Sequence, residues 1–152
     1  MSLKSVIAGA GMAAALAAGN AVASELPAAP VNPLLVPWTG PYGGVPPFDR
    51  ARVGELKPAL ETAMADQLAE VERIASNPVP ANFENTIAAM ERAGRALDRS
   101  QTVFGIYTAT LNDDAVQAVE REMAPRLAAH RDRITQNEAL FRRIAAVYEG
   151  RE

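Results

Sequence analysis

The sequence predicts an all-α protein: three to four helices in antiparallel hairpins, preceded by an extended arm rich in proline and glycine. Three observations predict it. Large apolar residues recur at helical spacing through Phe83, Ile87, Met90, Leu97, Phe104 and Leu111, with Gly94, Gln101 and Thr108 on the same stripe. The period is about 3.5 residues and lasts for about eight turns. Strong punctuation at Asn77-Pro78, Asn112-Asp113 and Asn137 divides the remainder into segments of helical length. Alternation of period two, the mark of a half-buried strand, is absent outside the arm. A stripe as long as that of residues 82–112 needs covering by its neighbours, and the residues alone describe a helical domain with an incomplete core.

Residues 1–23 read as a secretory signal peptide. Lys4 supplies a positive start, Val6 to Ala18 form an uncharged apolar run, and Ala21-Val22-Ala23 is a small-x-small cleavage site. The run is shorter than the roughly 20 residues of a membrane span. Cleavage after Ala23 is expected, giving a mature chain from Ser24 and a secreted, periplasmic location with no membrane association afterwards.

Residues 24–53 form the arm. Pro27, Pro30, Pro33, Pro37, Pro41, Pro46 and Pro47 lie in it with Gly40, Gly43 and Gly44, which denies it helix or central strand. Leu34, Leu35, Trp38, Tyr42, Val45 and Phe48 are spaced along it, so it lies on a surface. That surface is its own domain or, as a strap, another subunit or ligand.

Residues 54–152 are the helical region. The first helix is expected to begin near Glu55 to Pro58, with Pro58 in a first turn that has no need of its missing donor. Leu60, Met64, Leu68, Val71 and Ala75 form one face, with Ala63 and Ile74 beside them. Glu61, Asp66, Glu70, Glu72 and Arg73 form the solvated one. The rigid turn Pro78-Val79-Pro80 implies an antiparallel hairpin. Asn82 caps a second helix running to Asn112. Asp113 or Asn112 caps a third, striped by Val116, Val119, Met123, Leu127, His130 and Ile134. Pro125 should kink that helix and not end it, because the stripe continues in phase. Asn137 caps a fourth, carrying Leu140, Phe141, Ile144, Val147 and Tyr148, and Gly150 is placed to close it in a left-handed conformation.

Composition excludes several chemistries. With 15 basic against 18 acidic residues, the net charge of −3 offers no basic patch for nucleic acid. There is no cysteine and a single histidine, so neither a Cys-based zinc site nor the usual His-based one can form. Walker, dinucleotide-binding, nucleophile-elbow and H-E-x-x-H motifs are missing. Asp113-Asp114 is read as cap and first-turn charge, and Glu120-Arg121-Glu122 as a solvated face. Glu84-Asn85-Thr86 satisfies free amides at a helix start, with a substrate-contacting role as its alternative. His130 is read as a boundary histidine bonded through one ring nitrogen, since no second histidine or base pair joins it. No residue of this chain is thus assigned as catalytic, cofactor-binding or metal-binding.

The most specific residues carry a resemblance. Asn32-Pro33-Leu34-Leu35, with Trp38-Thr39-Gly40-Pro41-Tyr42-Gly43-Gly44-Val45-Pro46-Pro47-Phe48-Asp49, resembles the start of the bacterial peptidyl-dipeptidases. Pro80-Ala81-Asn82-Phe83-Glu84-Asn85-Thr86-Ile87 is similar to the P-x-F-E-N-T segment of the wider thimet oligopeptidase-like zinc metallopeptidases, although Asn82 stands where threonine is common. The segments 122–130 and 137–144 are similar to the same N-terminal region, so the likeness runs from Asn32 to Tyr148. It implies an incomplete part of a larger, mostly helical peptidase whose N-terminal helices wall a channel for short peptides. That enzyme would release C-terminal dipeptides, using a zinc ion on an H-E-x-x-H site far downstream. On this reading the chain is the truncated start of the N-terminal helical domain and is inert alone. Its partner is the missing C-terminal catalytic region, and zinc belongs to the full-length hydrolase. The alternative is a stand-alone periplasmic helical module that binds peptides or a partner protein.

Overall fold

A computed structural model describes residues 31–151. The expected signal peptide, its cleavage site and the first residues of the arm lie outside them. Four long helices account for most of the described residues: α1 (Val53–Ala75), α3 (Arg95–Thr110), α4 (Asp114–Thr135) and α5 (Glu138–Glu149). A π-helical turn, Phe83–Ala88, and the single-turn α2 (Ala89–Arg92) stand between α1 and α3. The all-α expectation is borne out; among the described residues the only extended pairing is one antiparallel bridge, Thr39 with Val45.

α1 is the central element. Leu56, Ala59, Leu60 and Ala63 are sealed from solvent on its first half, and Val71 and Ile74 on its second. It begins earlier than expected, at Val53, so Pro58 falls in the second turn and leaves the Gly54 carbonyl without its helical donor. α1 and α3 are antiparallel: Gly94 lies beside Glu70 at one end, and Tyr107 donates to the Ala51 carbonyl at 3.1 Å at the other. α3 turns through residues 111–113 into α4, which lies on α1 in the same direction. Lys57 meets Glu122 at 2.5 Å, Glu61 meets Arg126, and Gln67 meets His130, each partner advancing along both helices.

The second helix is not continuous, which corrects the expectation for residues 82–112. The chain breaks at Ala93, extended at φ −73° and ψ 142°, and at Gly94, left-handed at φ 82°. Only glycine takes that conformation without a Cβ penalty. The π turn also shifts the stripe by a residue. Leu97 and Phe104 reach the core, whereas Phe83 and Leu111 stay exposed at 65% and 57%.

The third and fourth helices start where expected. Asp113 accepts from the Val116 amide and Asn137 from the Leu140 amide, both at 2.9 Å. α4 runs on through Pro125, and Val116, Met123 and His130 are buried. Gly150 is not left-handed; its φ is −87°, and its amide bonds the Ala146 carbonyl in an ordinary last turn. α5 buries only Leu140, beside Val71 and Ile74, while Phe141, Ile144 and Tyr148 face outward. Since a fully buried side chain of this size contributes about 1.5–3 kcal/mol, α5 gains the least of the long helices from buried apolar side chains.

The arm lies on its own domain. Leu34 is inaccessible to solvent within the main core. Asn32 donates to the Glu55 carbonyl and Arg99 to the Leu35 carbonyl, both at 2.9 Å. Between Thr39 and Val45 the arm makes a tight loop whose tip, Tyr42, is fully exposed at φ 59°.

Candidate functional site

The polar groups converge where α1 ends and the π turn begins. Asn82 accepts from the Asn85 amide at 2.8 Å, and the Asn85 side chain accepts in return from the Asn82 amide at 2.9 Å. This reciprocal pair satisfies donors that every helix start leaves free. The cap expected of Asn82 is therefore present. Asn85 does more than was expected of it. Its oxygen also accepts from Thr86 and from Arg143, both at 2.9 Å, and its amide nitrogen donates to the Pro80 carbonyl at 2.9 Å. Arg143 donates further to the carbonyls of Asn77 at 2.7 Å and Val79 at 3.0 Å, so α5 clamps the turn between α1 and the π turn.

Beside this corner lies a cleft of about 470 Å³ between the last turns of α1 and the π turn with α2. Glu70, Arg73 and Ile74 line it from one face of α1, three and four residues apart, and Asn77 lines it from just beyond the end of that helix. Glu84, Asn85, Ala89, Arg92 and Ala93 line it from the other side. Glu84 of the π turn and Arg92 of α2 pair at 2.8 Å, and Glu70 accepts from the Gly94 amide at 2.7 Å. Glu70 was expected on a solvated face; it instead satisfies the amide that the break in the second helix frees.

His130 is 93% buried and its Nε2 lies 2.6 Å from Oε1 of Gln67. A carbonyl oxygen only accepts, so Nε2 carries the hydrogen and Nδ1 bears the lone pair. Nδ1 is buried with no partner. Burial, and then the positive charge of Arg133, hold the imidazole pKa below its ordinary value, which favours the neutral form. The bond through one ring nitrogen expected from the sequence is what is found, although His130 is buried and not at the boundary.

The acidic pairs stay at the surface. Asp113 caps α4 and Asp114 occupies its first turn, next to the positive end of the dipole. Glu122 bonds Lys57, which lowers its carboxyl pKa, and Arg126 lies nearby. Among the described residues no three of His, Cys, Asp and Glu gather closely enough to hold a metal ion. The donor set does not fit a hydrolytic zinc ion, and no hydrolytic step follows from these side chains.

Gln67, Glu70 and Arg143 were not distinguished in the sequence from other polar residues on helix exteriors. The one available signal was Gly94 inside a helical stripe, since an interior glycine costs about 1 kcal/mol unless something needs it.

No family model matches the sequence. The chain is similar to the dipeptidyl carboxypeptidase of Escherichia coli K12, with 37% identity over 122 residues, 80% of this chain and 18% of that enzyme. It is 35% identical over 120 residues to the dipeptidyl carboxypeptidase of Salmonella typhimurium LT2, covering 79% of this chain and 18% of that protein. The chain thus spans less than a fifth of the length of the curated relatives it matches. The likeness to peptidyl-dipeptidases drawn from the arm and cap residues is borne out at this level.

Proposed function

We propose that this chain forms the non-catalytic helical wall of a secreted zinc peptidyl-dipeptidase and is inert on its own. In that role it borders the channel that admits short peptides, while a separate catalytic region carries the zinc ion and releases C-terminal dipeptides. The observation that carries the reading is the outer stripe of α5. Phe141 and Tyr148 are 67% and 64% exposed, and Ile144 lies between them. A contiguous apolar stripe of this kind calls for more polypeptide upon it. The similarity to dipeptidyl carboxypeptidases supports a peptidase as the source of that polypeptide. The charge pattern of residues 1–23 supports export with cleavage after Ala23. Among the described residues no helix is long and apolar enough to cross a membrane.

The test is a chimera in which residues 32–148 replace the matching part of the Escherichia coli enzyme. The chimera should release dipeptides from short blocked peptides, while this chain alone shows no turnover with or without zinc. A folded, zinc-loaded chimera that turns over nothing would remove the wall role, and turnover by the isolated chain would remove its inertness.

A further inference from the structure

The cleft at the end of α1 holds two arginines and two glutamates, and three of the four are already engaged. Glu84 and Arg92 neutralise one another, and Glu70 accepts the Gly94 amide. Arg73 has no ion-pair partner among the described residues. Its guanidinium offers a planar fork of donors that matches a carboxylate through two parallel bonds. Ile74, Ala89 and Ala93 give the cleft an apolar lining of mostly small side chains. The volume of about 470 Å³ falls within the range of small-molecule sites. Glu70 and Glu84 on the same walls repel a second negative charge, which disfavours a phosphate dianion.

We propose that this cleft binds a small monoanionic carboxylate bearing a short apolar group, with Arg73 holding the carboxylate. The same chemistry is offered by the C-terminal end of a short peptide and by a free short-chain carboxylic acid. The proposal stands on the cleft itself and not on the peptidase reading.

The test is a nuclear magnetic resonance titration of the full chain, following the amides of Ala89, Ala93 and Gly94. The probes are N-acetyl-alanyl-alanine, its C-terminal amide, and propionate. The free acids should give saturable shifts at these amides, and the peptide amide should bind at least tenfold more weakly. Saturation by the peptide acid alone assigns the site to peptide ends; equal saturation by propionate assigns it to free acids. Arg73→Gln should weaken binding at least tenfold, and Arg73→Lys, which keeps the charge and loses the fork, should weaken it less. Circular dichroism reports whether each variant keeps its helices; Arg73 is exposed in the last turn, so both should. Absence of saturable shifts from both acids, an equal response to the amide, or unchanged binding by folded Arg73→Gln overturns the proposal. None of these results bears on the chimera's turnover.

Discussion

The side chain of Gln67 occupies the space that a Cβ on Gly94 would need. The same side chain accepts from His130, so one residue of α1 fixes both the break before α3 and the register of α4. Gly94→Ala adds a clash to a left-handed φ of 82°. The left-handed conformation alone costs about 1–2 kcal/mol. Urea unfolding should show Gly94→Ala destabilised by more than this, and the Gln67→Ala background should relieve the excess. Equal losses in both backgrounds would mean that the contact is not what excludes a side chain there.

His130 gives stability a defined dependence on pH. Its folded pKa lies below the ordinary 6.5, so the unfolded chain takes up its proton first as pH falls. The contribution is complete above about 6.5 and is lost as pH falls through that value toward the folded pKa. Arg133 on α4 opposes the charged form, and Gln67 on α1 offers no charge to favour it. Asp98 on α3 and Arg131 on α4 border the same cavity of about 180 Å³. Unfolding free energies at pH 7.5 and 5.5 should differ in the parent chain and differ less in His130→Asn. An unchanged difference would assign the dependence to other groups.

Two arm residues should respond in opposite ways. Leu34 is sealed in the core, and Leu34→Ala should cost about 2–5 kcal/mol, the range for buried leucines. Tyr42 is fully exposed at a left-handed φ, and Tyr42→Gly should be neutral or stabilise by up to about 1 kcal/mol. Denaturation midpoints measure both. A neutral Leu34→Ala would mean that the arm is not part of the folded unit in solution.

Pro125 is exposed within α4 and gives up one backbone hydrogen bond. Its replacement removes no packing, so Pro125→Ala should stabilise by about 1–3 kcal/mol, read as a higher melting temperature. A lower one would show that proline at this position favours the folded chain by more than the hydrogen bond it removes.

The outer stripe of α5 should bind apolar dyes. Phe141→Ser with Tyr148→Ser should reduce anilinonaphthalene sulfonate fluorescence while leaving far-ultraviolet circular dichroism unchanged, because both side chains are exposed. Retained fluorescence would place the accessible apolar surface elsewhere.

What was legible in the sequence was local. The caps at Asn82, Asp113 and Asn137 each bond an amide three residues on, so nearby residues suffice to find them. The break at Gly94 was not legible, because Glu70 and Gln67, which hold it, belong to another helix. An interior glycine in an unbroken stripe gives no direction. The π turn shifts that stripe by one residue, which a period near 3.5 absorbs. The cleft escaped notice for a related reason: Glu70 and Arg73 lie on a polar helix face, and spacing alone cannot tell a solvated face from a lined one. Gly150 carried a familiar closing signal, but an ordinary last turn was equally open to it.

The shared direction of α1 and α4 sets like partial charges side by side at each end of the pair, an arrangement that repels slightly. Lys57, Glu61, Glu122 and Arg126 interleave opposite full charges along their seam. Surface pairs of this kind contribute little free energy, so the seam acts as a vernier and not as glue. Sliding either helix by about one turn would set Lys57 against Arg126 or Glu61 against Glu122, and only one axial stagger satisfies all four.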